Sequence, residues 1–323
     1  MDELERLVRA ANPSPVRRTS TLSPRSESDL AQIVSAPRAS ARADQGWRRT
    51  VIWGSAVAAG LAIILTVTAQ LTAPRATASP PVLAYASVAG SAASALERLG
   101  ELARKNITTP SSDVLVSETW SADITIGVAE TTTYVQPREV TRTFRSDGTA
   151  TFVVRAGTVR WGVVSGDDEA PAAGTELERM ELTAADGPRL FVEPPPSAGP
   201  EFRTYLESTL GLSEASTTGD YFAAVQSLRD EWAFDGEQTA ALTELVASLP
   251  DVTMLGETTD RLGRAGIAFA TRTNGDGTFQ TVLIFDRASG ALIAFENTYL
   301  GGNPDVALPS PSVVNYIAWK DQP

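Results

Sequence analysis

The chain of 323 residues contains no cysteine and no histidine. The first absence excludes disulfides and thiol nucleophiles, and the second excludes a Ser-His-Asp triad and a histidine general base. Together they exclude Cys/His zinc sites. The formal charge of −12 at pH 7 argues against direct binding of nucleic acid. Hydrophobic residues make up 42% and charged residues 20%, a globular composition for one large domain or two.

One window of this otherwise charged sequence has no ionisable residue. Residues 51–73 contain no Asp, Glu, Lys or Arg and lie between Arg49 and Arg75. A helix of this length rises roughly 34 Å at about 1.5 Å per residue, enough for the roughly 30 Å hydrocarbon core of a bilayer. The preceding fifty residues are rich in Ser, Pro and Arg and cannot surround a buried soluble helix. The window is therefore predicted to be a transmembrane helix.

The distribution of arginine predicts the orientation of this helix. Residues 1–50 carry nine basic and six acidic residues, a net charge of +3, whereas the remainder carries 18 basic and 33 acidic residues, a net charge of −15. The positive-inside rule therefore places the N-terminus in the cytoplasm and the C-terminal part outside the cell membrane. The competing interpretation is a signal peptide cleaved near Ala76-Thr77-Ala78. The apolar run exceeds a usual h-region of about 7–15 residues, which favours an uncleaved anchor.

The cytoplasmic arm, residues 1–49, contains two short segments with helical spacing. Apolar residues recur there at i, i+3 and i+4, as Leu4, Leu7 and Val8 and again as Leu30, Ile33 and Val34. Neither segment is long enough to form a stable helix alone in water. One interpretation is a largely disordered, positively charged tail. The other is an arm that folds on a partner and lays these six candidate partner-binding residues into its groove.

Beyond the span, the sequence predicts an exposed Pro/Ala-rich tether at 74–83 and then an extracytoplasmic domain at 84–323. The domain is expected to contain helices at 84–105, 201–210, 221–232 and 238–249, the last with an Asp235–Gln238 capping box. Strands are expected around Trp120 and at 138–145, 149–155, 159–164, 266–273, 278–285, 291–299 and 313–319, with an acidic loop at 165–178. Strands, helices and then strands indicate an α+β fold, an antiparallel β-meander with packed helices. Its core should bury Leu242, Leu245, Leu283 and Phe285.

Few residues suggest catalysis. The runs Asp167-Asp168-Glu169 and Asp230-Glu231 are the obvious carboxylate pairs, but the first lies in a Pro/Gly loop and the second ends a helix, so solvation explains both. Asn274-Gly275-Asp276-Gly277 resembles a calcium loop, yet Phe285 stands where an EF-hand has glutamate, which favours a hairpin turn. The tryptophans at 120, 161, 232 and 319 are assigned to the core. No catalytic residue, metal site or cofactor is predicted, and an enzyme is not expected.

Several segments resemble one group of actinobacterial proteins. The sequence opens with MDEL, carries DLAQI in its arm, and contains LTELVASLPDVTMLGETTDRLGRAGIAFA, QTVLIFDRASGALIAFE and SVVNYIAWK within residues 235–320. These features are similar to single-pass membrane proteins often encoded beside extracytoplasmic-function sigma factors. The use of 25 Arg against two Lys fits a GC-rich genome of that kind. By element order alone, the outer domain also resembles the open half-barrel of lipoprotein carriers and of periplasmic regulators of anti-sigma factors.

This resemblance implies a membrane-anchored regulator, either an anti-sigma factor or an envelope sensor, whose cytoplasmic arm binds a sigma factor. Two features depart from the pattern: the zinc-binding motif H-x3-C-x2-C is impossible here, and the arm is shorter than a full anti-sigma domain. The alternative is a membrane-anchored carrier that binds an apolar ligand or peptide outside and has no cytoplasmic partner. A carrier needs an apolar cavity, whereas a regulator needs a partner for residues 1–49.

Overall fold

The structure, a computed structural model, describes residues 78–106, 113–122, 134–162, 170–273, 278–302, 306 and 308–320. All of them belong to Gly46–Pro323, one of the two compact units into which the chain divides. Within these ranges, no helix has both the length and the apolarity that crossing a bilayer requires. The predicted arm and the predicted span at 51–73 lie outside the described residues, so both assignments stay predictions. The same holds for the six predicted partner-binding residues: Leu4, Leu7, Val8, Leu30, Ile33 and Val34.

Most of the described strands form one antiparallel sheet. The strands are β1 Val114–Ser121, β2 Tyr134–Val135, β3 Arg138–Phe144, β4 Ala150–Ala156, β5 Trp161–Gly162, β6 Glu176–Leu182, β7 Thr253–Thr259, β8 Ala265–Thr273, β9 Phe279–Asp286, β10 Leu292–Tyr299 and β11 Ser312–Lys320. Nine of them follow the order β6-β4-β3-β1-β11-β10-β9-β8-β7, while β2 and β5 form a separate two-stranded ribbon. With the helices below, this confirms the predicted α+β class and its antiparallel pairing.

The two strand sets of the chain join through β1 and β11. Their antiparallel register places Thr119 opposite Ile317 and Trp120 opposite Tyr316. On either side of this junction the strands follow chain order, as expected for hairpin-connected neighbours. The strands before the helices and those after them therefore form one continuous sheet.

Four helices lie within the described residues: α1 Ala92–Lys105, α2 Gly199–Leu210, α3 Thr218–Arg229 and α4 Gly236–Ser248. Polar caps determine where three of them begin. Ser91, Thr217 and Asp235 each accept a hydrogen bond from the backbone N–H three residues later, and the side chain at that position accepts one from the cap backbone. The predicted Asp235–Gln238 capping box is thereby confirmed, and α4 begins two residues before the predicted start.

The helices cover one face of the sheet, the helix face. Leu242 and Leu245 of α4 belong to the same buried cluster as Leu283 and Phe285 of β9, and each is at most 1% exposed. Their predicted burial is confirmed. Full burial of one such side chain contributes about 1.5–3 kcal/mol, so this cluster is a main source of the stability of the domain.

Several local predictions differ from the structure. The strand predicted at 159–164 is represented among the described residues by β5, which pairs with β2 outside the main sheet, and the helix predicted at 221–232 is α3, Thr218–Arg229. The helix predicted to start at residue 84 starts at Ala92, because Ser91 caps it and Tyr85 packs instead against the sheet. The acidic loop predicted to extend to residue 178 gives way at Glu176 to strand β6. Most side chains of this edge strand are exposed and several are charged, so it lacks the regular apolar alternation that marks a half-buried strand.

Candidate functional site

The face of the sheet opposite the helices carries a second apolar cluster, and an extended segment covers it. This segment, residues 79–86, is called the strap, and the face beneath it the strap face. Leu83 and Tyr85 of the strap are half-buried against a cluster of small and aliphatic side chains from β8 to β11: Ala268, Ala270, Val282, Ile284, Ile293, Ala294 and Ala318. The described part of the predicted tether therefore lies on the sheet instead of standing free.

The C-terminal half of the strap pairs with the edge strand β7. Ala86 and Glu257 exchange two backbone hydrogen bonds of 2.8 Å, and Thr258 Oγ1 donates to the Ala84 carbonyl oxygen at 2.9 Å. Gly256 permits this close approach, because a Cβ there would overlap the Ala86 carbonyl oxygen. Its φ of 122° is also one that side chains rarely adopt. A side chain at Gly256 would push the strap away from β7.

Side chains hold the N-terminal half of the strap. Arg261, in the turn between β7 and β8, donates from Nη1 to the Pro81 carbonyl oxygen at 2.7 Å. The Ser79 hydroxyl donates to the Val313 carbonyl oxygen of β11 at 2.9 Å. Because β11 and β7 lie four places apart in the strand order, the strap crosses the sheet from its middle to one edge.

A buried ion pair supports this attachment from below. Arg261 donates from Nε and Nη2 to a single oxygen of Glu296, Oε2, at 2.9 and 2.6 Å. Their side chains are only 5% and 2% exposed. Glu296 Oε1 is buried and has no hydrogen-bond partner among the described residues. The guanidinium of Arg261 thus joins the strap backbone to a carboxylate inside the sheet, and half of that carboxylate is unsatisfied.

Burial has a large effect on the pKa values of Glu296, beneath the strap, and of Tyr85, in the strap itself. It raises the pKa of the Glu296 carboxyl to about 7, and the charge of Arg261 offsets only part of this effect. Burial likewise raises the pKa of Tyr85, and the negative charge of Glu296 adds to the increase. Tyr85 is therefore a neutral phenol at physiological pH, and it packs against the sheet as an apolar ring with a polar tip.

A second carboxylate continues the network toward β1. Glu118 accepts hydrogen bonds from Arg160 Nη2 at 2.8 Å and from the Tyr316 hydroxyl at 3.0 Å. Arg160 Nη1 in turn donates to the Arg261 carbonyl oxygen at 2.7 Å. Two arginines and two carboxylates thus connect β1, β10 and β11 to the turn that holds the strap. The arrangement offers hydrogen bonds to an extended backbone and contains no activated nucleophile.

Aromatic rings surround this network. Trp120 stacks on Tyr316 with ring centroids 6.5 Å apart, and Trp161 meets Tyr316 edge-on at 6.4 Å. The Arg261 guanidinium lies 5.6 Å from the ring centroids of both Trp161 and Tyr316. These contacts limit the positions that Arg261 can take and so help to place the donor that reaches Pro81.

We expect Glu296→Gln to change the pH dependence of stability. The pKa of Glu296 is about 7 in the folded chain, whereas an ordinary glutamate, as in the unfolded chain, has a pKa of 4.5. Between these two pH values the folded state therefore holds a proton that the unfolded state has released. The free energy of unfolding of the wild type should therefore fall as the pH rises from about 4.5 to 7, and this dependence should be smaller in the glutamine variant. Urea unfolding at pH 5 and pH 8 measures the difference.

The matched control for this measurement is Glu257→Gln, which removes an exposed carboxylate paired with Arg287. Its stability relative to wild type should be the same at both pH values to within about 0.5 kcal/mol. An advantage of Glu296→Gln over wild type that does not grow between pH 5 and pH 8 would contradict the raised pKa.

The carboxylate pairs singled out in the sequence do not form a catalytic site among the described residues. Asp230 accepts hydrogen bonds from the indole of Trp319 at 2.8 Å and from Gln226 at 2.9 Å, and it pairs with Arg142 at 3.4 Å. Glu231 accepts from the backbone N–H of Phe191 at 2.9 Å. Both acids therefore stabilise the loop after α3, which corrects the interpretation that solvation explains them. The other run, at 167–169, lies outside the described residues.

The four tryptophans differ in burial. Trp319 is 1% exposed in the helix-face core, as predicted, whereas Trp120, Trp161 and Trp232 are half-buried. The sequence reasoning did not identify the charged residues of the strap face. One signal was available, a single glutamate within an apolar strand, as in the run 292–299 around Glu296. The pairing partners of such a residue come from distant parts of the chain and cannot be inferred from spacing.

Side chains fill the space between the helices and the sheet. Phe191, Phe202, Phe222 and Phe269 are fully buried in the helix-face cluster, and Trp319 closes it toward β1. In the part of the chain that the structure describes, these rings pack between the helices and the sheet, where a carrier of this architecture would hold an apolar ligand. The same ranges contain no group of three or more metal-ligating side chains.

No protein-family model matches the chain, and no curated protein matches it. Among solved structures, it is similar to the MucA/MucB complex of Pseudomonas aeruginosa, with 15% identity, 71% of this chain and 55% of that chain covered, and a TM-score of 0.24. A second structure, of MucB, gives 16% identity, 71% and 56% coverage, and a TM-score of 0.26. The chain thus spans about half the length of these chains. TM-scores this low carry no argument about function.

Proposed function

We propose that this protein is a non-enzymatic, single-pass regulator of the cell envelope. In this proposal residues 1–49 bind a cytoplasmic partner, residues 51–73 cross the cell membrane, and the α+β domain lies outside and responds to a signal. The observation that carries the proposal is the strap. The strap follows the predicted membrane span and is bound across one face of the outer domain. A conformational change in that domain would therefore move the segment that leads to the span.

The length of chain between span and strap supports such coupling. Residues 74–78 separate the end of the predicted span from Ser79. Five residues reach at most about 18 Å when fully extended. In this arrangement the strap face lies close to the extracytoplasmic surface of the cell membrane. Release of the strap lengthens the link between the domain and the span. The link thus has two lengths, and a signal acting on the outer domain selects between them.

The partner proposed for the arm is a sigma factor, held inactive at the membrane. Support comes from the sequence resemblance and from the six apolar residues of the arm, spaced for two short helices: Leu4, Leu7, Val8, Leu30, Ile33 and Val34. Docking them must offset the ordering of roughly twenty residues, each costing about 1–2 kcal/mol of backbone entropy. The affinity should therefore be modest and sensitive to single substitutions.

We expect Leu7→Asp or Ile33→Asp to reduce partner capture by the full-length chain at least about tenfold, equivalent to about 1.4 kcal/mol. Each substitution places a charge on an apolar face that the proposed complex desolvates. Affinity-tagged full-length protein would be purified in detergent from its own cells, and the co-purifying proteins quantified by mass spectrometry. Ser20→Asp is the matched control, because it adds the same charge in the linker between the two segments and should leave capture unchanged.

Two outcomes would contradict the proposal. If the wild type and both arm variants retain the same proteins in the same amounts, the arm is only a positively charged tail. If a reporter that works only outside the cytoplasm is active when fused at Gly46, the arm lies on the other side of the membrane.

A further inference from the structure

We propose that the groove under the strap is an acceptor site for an extended peptide with apolar side chains at alternate positions. In this inference the strap is the resident occupant, which such a peptide displaces. The site lies on the strap face at the edge strand β7. The inference goes beyond the regulatory proposal and does not depend on a partner of the arm.

The strap itself shows the chemistry of the ligand. Its backbone exchanges two hydrogen bonds with the edge of β7 at Glu257, which is how a peptide adds a strand to a sheet. Leu83 and Tyr85, two positions apart, pack against the sheet, whereas Val82 between Pro81 and Leu83 is 42% exposed. The groove thus selects for one apolar and one aromatic side chain at positions i and i+2 of an extended segment.

The strap is held weakly for a segment in this position. Its bridge to β7 involves Ala86 alone, and single side-chain hydrogen bonds attach the rest: the Ser79 hydroxyl donates to Val313, while Thr258 and Arg261 donate to strap carbonyl oxygens. Four of its eight residues are exposed, Ser79, Leu83 and Tyr85 are half-buried, and only Pro80 is buried. Few buried contacts and solvent-exposed hydrogen bonds are features of segments that open before the rest of a domain does. Displacing the strap does not require the helix-face core to unfold.

Space for a bulkier occupant lies beside the strap. An open pocket of about 380 Å³ is lined by the strap residues Ala84 and Tyr85, the strand residues Thr259 and Gly266, and Arg287. The pocket continues the groove along β7 and β8. A peptide with a larger residue in place of Ala84 or Ala86 would place that side chain in this pocket.

The strap competes with an added peptide because it is part of the same chain. Its effective concentration at the groove is on the order of millimolar. A peptide of comparable intrinsic affinity therefore binds the wild-type chain poorly, since the strap already occupies the groove in most molecules. Weakening the strap should restore binding without any change in the groove.

The test measures binding of a fluorescein-labelled peptide with the strap sequence 79–88, SPPVLAYASV, to the full-length chain in detergent. Two variants release the strap by different routes. Leu83→Ser with Tyr85→Ser removes its apolar contacts, and Ala86→Pro removes the N–H that donates to Glu257. Fluorescence anisotropy should show at least tenfold tighter binding by each released variant than by the wild type. A control peptide, SPPVSASASV, should bind at least tenfold more weakly than the strap peptide.

Two substitutions in the groove locate the binding site. Gly256→Val in a released variant should abolish binding, because its side chain takes the place of the peptide backbone. Thr258→Val keeps the shape of the side chain but removes a hydrogen bond to the peptide, and should weaken binding about threefold to tenfold. It serves as the second test if Gly256→Val does not fold, as judged by circular dichroism and thermal midpoint.

The inference is overturned if folded released variants bind the strap peptide no more tightly than the wild type. It is equally overturned if the control peptide binds as well as the strap peptide, or if neither groove substitution weakens binding. These results are independent of partner capture by the arm, so the two proposals can fail separately.

Discussion

Asp230→Ala is expected to lower the free energy of unfolding by about 3–5 kcal/mol, the usual result of removing one partner from a buried ion pair. Arg142 and Asp230 have side chains that are 7% and 14% exposed, so the arginine left behind would be a buried charge without its counter-ion. The same substitution removes the acceptor for the indole N–H of Trp319 and for the amide of Gln226. Each of those groups then carries its own desolvation cost.

Replacing both charges separates the cost of an unpaired charge from the net contribution of the pair. Arg142→Met with Asp230→Leu removes both ions at roughly conserved volume, and should recover the part of the loss that comes from the unpaired arginine, because Trp319 and Gln226 still lack their acceptor. Arg142 Nε already lacks a hydrogen-bond partner among the described residues, so the pair is not fully satisfied in the wild type. Urea unfolding of the three chains measures the effect. A double variant as unstable as Asp230→Ala would contradict the assignment of the loss to the unpaired charge of Arg142.

Leu245→Ala is expected to cost about 2–5 kcal/mol, because it removes buried methyl groups and leaves a cavity. Leu245 is 1% exposed and belongs to the cluster that joins α4 to the sheet. The control is Leu177→Ala on the edge strand β6, where the side chain is 42% exposed. It should change the free energy of unfolding by no more than about 0.5 kcal/mol. A cost for Leu245→Ala as small as that of the control would place α4 on the surface and contradict the packing described here.

Local patterns in the sequence predicted the turns, helix caps and strands that depend on residues close to one another in the sequence. The hairpin at Ser146-Asp147-Gly148 joins β3 to β4 as expected, and Asp235 caps α4 through Gln238. The strands β8 to β11 agree with the predicted segments to within about two residues at each end. These signals depend on neighbours three or four residues away or on alternation within one strand, so they can be read without the fold.

Other features depend on contacts between distant segments and could not be read in this way. The helix predicted from residue 84 was wrong at its start, because Ser91 caps the helix and Tyr85 packs on the strap face. The strand β6 was missed because its side chains face solvent. Asp230 and Glu231 were attributed to solvation, although their partners Arg142, Trp319 and Phe191 hold them inside the domain.

The α+β class, the antiparallel strand sets and the Asp235–Gln238 cap could be predicted from the sequence, because apolar periodicity and short-range hydrogen bonding act within a few residues. The same holds for the burial of Leu242, Leu245, Leu283 and Phe285. The predicted arm, span and orientation also rest on the sequence alone. The pairing of β1 with β11 and the position of residues 79–86 across the sheet depend on the folded chain and could not be predicted from local patterns. The same is true of the hydrogen bonds by which Arg261 joins Pro81 to Glu296, since such contacts depend on which distant segments fold onto one surface. The candidate site is made entirely of contacts of this second kind.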